Sequence, residues 1–117
     1  MRKRFLREVY YFKDYYLNFY NTLNTDVQTK FNWTIQLIAT IERVPSKYFE
    51  YISNSDGIFE IRVEYNSNIY RVFCFFDEGN IIILVNGFQK KSQKTPKNEL
   101  TRAEKLKQEY FYEKTIK

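Results

Sequence analysis

Two arginines and a run of lysines stand where apolar, strand-like sequence gives way to a basic loop. Arg62 and Arg71 lie within the apolar runs of residues 57–65 and 69–76. Lys90, Lys91, Lys94 and Lys97 follow a third apolar run, residues 81–85. Guanidinium and ammonium groups fixed beside one another bind a phosphate backbone. Held at a reacting phosphate, they also stabilise the charge that develops there. Between residues 86 and 107 seven basic and two acidic side chains give an excess equal to the net +5 of the whole chain. The charge is therefore concentrated in the segment 57–102 and its flank, which favours an acidic partner such as RNA, DNA or an acidic protein.

The arginines must be positioned by a hairpin. With Asn66-Ser67 as its two-residue loop, Tyr65 faces Asn68 and Arg62 faces Arg71 directly. Like charges opposite each other destabilise a strand pair unless carboxylates or a bound anion neutralise them. Glu60 and Glu64 share the Arg62 face, two residues to either side. Two readings stay open: a Glu–Arg ladder on a solvated face, or a pair reserved for an anion. The loop 87–96 has the same two readings, a solvated basic loop or an anion trap. The trap would combine its lysines with the N-terminus of a helix opening at Thr95-Pro96, with Thr95 as cap and Pro96 in the first helical position.

Composition removes several chemistries. The chain has no histidine, so Ser-His-Asp, Cys-His and His-metal mechanisms are excluded. Its one cysteine, Cys74, forms no intramolecular disulfide and sits in the apolar run VFCFF as packing filler. Acid–base work falls to Glu, Asp, Lys, Tyr or Arg. No signal peptide and no bilayer-spanning apolar run is read, and a reducing, cytoplasmic setting fits. The 117 residues suit one domain, 1–117. Its many aromatics, 11 Tyr and 11 Phe, supply core bulk, with some free to stack on bases.

The element order predicted is β-α-α-β-β-β-α. A strand over 4–12 is followed by a helical segment over 13–23. A helix then opens at the capping box Thr25-x-x-Gln28 and ends near Pro45, with Val27, Phe31, Ile35, Ile38 and Ile41 as its apolar stripe, widened by Trp33 and Leu37. An irregular or helical connection over 46–56 leads to strands over 57–65, 69–76 and 81–85. Residues 77–80 form the turn between the last two, and Gly87 ends the third. A last helix presents Leu100, Ala103, Leu106 and Tyr110. This is an α+β pattern, an antiparallel sheet with helices on one face.

At these residues the sequence resembles the RelE/HigB superfamily of toxin–antitoxin endoribonucleases, in particular its phage-derived HigB-like branch. The pieces that carry the resemblance are Gly57-Ile58-Phe59-Glu60-Ile61-Arg62, Ile69-Tyr70-Arg71-Val72-Phe73, and Ile82 through Lys91. Lys94-Thr95-Pro96 and Ala103 complete it. The resemblance implies a small antiparallel-rich sheet packed by two N-terminal helices, with a C-terminal helix. It implies cleavage of mRNA, commonly on the ribosome, and neutralisation by a helix-turn-helix antitoxin, with no membrane role and no cofactor.

The same resemblance implies that Arg62, Arg71, Lys90 and Lys91 form the catalytic set, with Glu60 beside them. The RNA supplies its own nucleophile, the 2′-hydroxyl, so no metal is required. Glu60, or a lysine whose pKa is lowered by neighbouring cations, takes the proton. Arg62 and Arg71 clamp the phosphate, and Lys90 or Lys91 is the acid or a second clamp. Phe88, Lys94 and Lys97 contact the RNA, Phe88 or a nearby Tyr by stacking. Some relatives carry histidines near the site, and some a C-terminal tyrosine, for which Tyr110 and Tyr112 are available here. The alternative is a non-catalytic nucleic-acid-binding or phage-derived regulatory protein on the same fold.

Overall fold

A computed structural model of the chain describes residues 5–90 and 96–116. The elements follow in the order β1 (Glu8–Tyr11), α1 (Tyr15–Tyr20), α2 (Thr25–Thr40), β2 (Phe49–Tyr51), β3 (Phe59–Tyr65), β4 (Asn68–Phe76), β5 (Ile81–Lys90) and α3 (Lys97–Thr115). The five strands form one sheet in the order β1-β5-β4-β3-β2. Every neighbouring pair is antiparallel except β1 and β5, which run parallel with Glu8 opposite Ile81. The α+β class follows. The connection over 46–56 differs from expectation, because it contributes the short strand β2.

Alternation along the central strands divides the core in two. Ile61, Val63, Val72, Cys74, Ile82 and Leu84 face Val27, Phe31 and Ile38 of α2 and Tyr16 of α1. Phe73, Phe75, Ile83 and Val85 face Ala103 and Leu106 of α3. The helices therefore cover both faces of the sheet, rather than the one face expected. Strands β4 and β5 are apolar on both sides, so they need cover on both, whereas β3 carries Glu60, Arg62 and Glu64 on the face away from α2. Cys74 is fully buried, and burial pushes its thiol up, as packing filler requires.

Helix α2 starts one residue earlier than the capping-box pattern implied. Asn24 is the N-cap and its side chain accepts the Val27 N–H at 2.9 Å. Gln28 reaches back to the Tyr20 carbonyl instead, tying α2 to the end of α1. The stripe of Val27, Phe31 and Ile38 is buried, but Trp33 is 53% exposed and lies outside the core it was expected to widen. At α3 the helix opens at Lys97, with Pro96 one place before it as the N-cap residue. The expected cap Thr95 lies outside the described residues.

Candidate active site

The hairpin loop sets the site. Asn66 and Ser67 both adopt positive φ, 50° and 66°, the conformation a two-residue turn between twisted strands demands. Tyr65 then pairs with Asn68, and Arg62 stands opposite Arg71. Because Ile61 and Val63 point toward α2, the side chains of Glu60, Arg62 and Arg71 share the other face of the sheet.

A bulge brings in the lysine. From Phe76 to Cys74 the register of β4 with β5 is regular. Between Cys74 and Val72 it slips by one residue, so that Val72 pairs with Gly87 and Arg71 with Phe88. The extra residue in β5 reverses its alternation. Gly87 now faces α1, and Phe88 and Lys90 join the Arg71 face. The strand continues through Gly87 to Lys90, rather than ending there. Gly87 is needed for a different reason: a Cβ at this position would meet the Phe19 ring at 2.3 Å.

The two facing arginines are each neutralised by a carboxylate of β3. Arg71 Nη1 donates to Glu60 Oε1 at 2.5 Å, and both side chains are buried, 8% and 5% exposed. Arg62 Nη2 donates to Glu64 Oε1 at 2.7 Å in a more open setting. Of the two readings of the pair, the Glu–Arg ladder is therefore present. It leaves capacity unused: neither Nε of Arg62 nor Nε of Arg71 has a hydrogen-bond partner among the described residues.

The electrostatics of the cluster push two groups toward each other. Burial raises the Glu60 carboxyl, and the nearby Glu50 carboxylate adds to this. Arg71 and Lys90 oppose it without cancelling it. Burial lowers the Lys90 ammonium, and Arg71 and Arg62 lower it further against the pull of Glu60. An acid held up and an ammonium held down around two guanidiniums is an arrangement suited to exchanging protons beside a bound anion.

Other expected residues have different settings. Phe88 is buried at 8% exposure and meets Phe73 edge-on at 5.1 Å, so its ring belongs to the core and is not offered to a base. Lys97 is exposed at the start of α3. Lys91 and Lys94 lie outside the described residues. Tyr110 donates its hydroxyl to Asp77 Oδ2 at 2.6 Å and packs against Phe12 and Phe75, so it is a structural group. Tyr112 is exposed. Among the described residues no cluster of His, Cys, Asp and Glu is of a size to hold a metal ion, and no helix is long and apolar enough to cross a membrane.

Fold and site together define an α+β protein with paired cations on the central strands of its sheet. The chain belongs to the family of phage derived protein Gp49-like (DUF891) domains, whose model matches residues 18–108, from within α1 to within α3. That family is associated with toxins of toxin–antitoxin systems. No curated protein matches the chain.

Proposed function

We propose that this chain is the toxin of a toxin–antitoxin pair, a RelE/HigB-like mRNA endoribonuclease acting on ribosome-bound mRNA in the cytoplasm. A helix-turn-helix antitoxin neutralises it. The observation that carries the reading is the meeting of Arg62, Arg71, Glu60 and Lys90 on one sheet face, with Glu60 raised and Lys90 lowered. Membership of a toxin-associated family supports it.

In the reaction the 2′-oxygen attacks the adjacent phosphorus as its proton is removed. The bond to the 5′-oxygen breaks, and that oxygen takes up a proton. The product ends in a 2′,3′-cyclic phosphate. Arg62, the more exposed of the pair, binds the phosphate and the charge it gains. Arg71 is the second clamp, held in place by Glu60. The burial of Glu60 and its bond to Arg71 support a positioning role for it. Lys90 then carries the proton, since a lowered pKa raises the fraction of neutral amine available as base. Lys91 remains the candidate for the leaving-group acid.

The test is induced expression followed by mapping of mRNA 5′ ends. Arrest of growth with new cut sites inside coding regions supports the reading. Arrest with intact mRNA, or no arrest from folded protein, overturns it.

A further inference from the structure

A second feature of the molecule adjoins Arg62 and is not used by the phosphate cluster. Strand β2 pairs with β3 only as far as Ile61, and Arg62 N–H donates to the Tyr48 carbonyl at 2.9 Å. Beyond that point the edge of β3 has no strand partner among the described residues. A cleft of about 420 Å³ opens there, within the range of about 300–1,000 Å³ usual for ligand sites. Lys30 and Trp33 of α2 form one wall, Lys47 and Tyr48 another, and the β3 edge at Arg62, Val63 and Glu64 the floor.

Trp33 is a large aromatic on a helix whose apolar stripe points elsewhere, and it stays half exposed. It meets Tyr48 edge-on, with ring centroids 5.5 Å apart and planes at 74°. The two rings make a corner, in which a planar group can lie on one ring with its edge toward the other. Lys47 Nζ sits 4.9 Å from the centre of the Tyr48 ring. Lys30 Nζ donates to the Glu64 carbonyl at 2.8 Å across the mouth of the cleft. Three cations and one carboxylate around an aromatic corner complement a flat, anionic ligand. Unpaired nucleobases stack on indole and phenol rings while cations hold the flanking phosphates.

We propose that this cleft is a base-binding subsite for single-stranded RNA, taking the base of a nucleotide next to the phosphate held at Arg62. Trp33 is the stacking platform, and Lys47 and Lys30 hold the flanking backbone. The inference rests on the ribonuclease reading for its ligand but not for its readout, because binding is measured without cleavage. Arg62 and its partner Glu64 stand at the free edge of β3 and belong to both cleft and cluster, so a strand that rounds this edge passes from one to the other.

Trp33 is the only tryptophan in the chain and reports directly. The intact protein is titrated with a short single-stranded RNA whose 2′-hydroxyls are methylated, so that it is not cut. Saturable quenching of Trp33 fluorescence by the single strand, and not by a duplex of the same sequence, is expected. Anisotropy of the labelled RNA then compares variants of unchanged melting temperature. Trp33→Ala weakens binding roughly 5- to 150-fold, the span that base–aromatic stacking covers, and Trp33→Phe stays within about threefold of the native protein. If the native protein cuts mRNA but Trp33 is not quenched and Trp33→Ala binds normally, the subsite is wrong and the ribonuclease reading stands. If the native protein binds no RNA, the subsite is wrong, and the ribonuclease reading is decided by the mRNA 5′ ends alone. If quenching and the Trp33→Ala loss appear without any cutting, the subsite stands and catalysis is refuted.

Discussion

Arg62 and Arg71 face each other across β3 and β4, yet each leans on a different glutamate of the same strand. Arg71 turns diagonally to Glu60 under cover, and Arg62 runs along the strand to Glu64 in the open. One guanidinium is fixed and the other is free to exchange its partner for a phosphate. An exposed ion pair contributes little to stability, whereas a buried one is costly to break.

Arg62→Ala is therefore expected to lower RNA cleavage about 10²- to 10³-fold, the usual cost of removing one donor to a developing oxyanion. The melting temperature should stay close to that of the native protein. Single-turnover cleavage and a thermal melt, run on the same preparation, check both halves. Native-like cleavage by the folded variant removes Arg62 from the site.

Glu60→Ala strands the buried Arg71 cation, and we expect a loss of about 3–5 kcal/mol in urea unfolding. Glu60→Ala combined with Arg71→Leu should recover a large part of it, because the uncompensated charge is gone. If the double variant is no more stable than Glu60→Ala, the pair is not the source of the loss.

A proton-accepting Lys90 makes cleavage rise with pH through its own ionisation. Burial, and after it the neighbouring guanidiniums, place that rise below the ordinary lysine value of about 10.4. Lys90→Arg keeps the charge but cannot give up its proton near neutrality, so it should abolish the rise along with most of the rate. Full activity with the same pH profile in Lys90→Arg would reduce Lys90 to a clamp.

Asp77 links the turn before β5 to α3. Burial pushes its carboxyl up. The Tyr110 hydroxyl, the Lys114 ammonium and the Glu78 N–H outweigh that and hold it below the usual value. A carboxyl depressed on folding contributes stability above its unfolded pKa, and that contribution is lost as pH falls through the folded value. The loss thus lies below about pH 4. Asp77→Asn should flatten this acid limb in urea midpoints measured against pH. An unchanged limb would assign it to other carboxylates.

Gly87→Ala places a methyl against the Phe19 ring, which itself packs on Phe31. Overpacking of about 1–3 kcal/mol is expected by urea denaturation. Gly87→Ala with Phe19→Leu should relieve it. A neutral Gly87→Ala would mean that the ring yields freely.

The arginine row was legible because Asn66-Ser67 pins a register by itself, and two apolar strands of matching phase flank it. Lys90 was identified by its position after an apolar run, but its face was not readable. The bulge between Val72 and Cys74 reverses the phase of β5, and Gly87, the residue type there that can mark a bulge, reads equally well as the end of the strand. Strand β2 is only three residues long, too short for alternation to show. Trp33 sits at a helical spacing that borders the stripe, so periodicity assigned it to the core. Its contact with Tyr48 lies across the fold and leaves no local mark. Phe88 adjoins the lysines in sequence, which suits a stacking residue, but the same phase reversal sets it beside Phe73 on the α3 face.

The parallel seam between β1 and β5 bears on timing during synthesis. Glu8 to Tyr11 have no partner until residues 81–84 exist, and the face bearing Arg71 is unfinished until Lys90 joins it. Contacts so distant in the chain form late, and a nascent chain leaves the ribosome N-terminus first. A growing copy thus keeps its first strand unpaired until residues 81–84 are made, and its cation cluster unassembled until Lys90 follows.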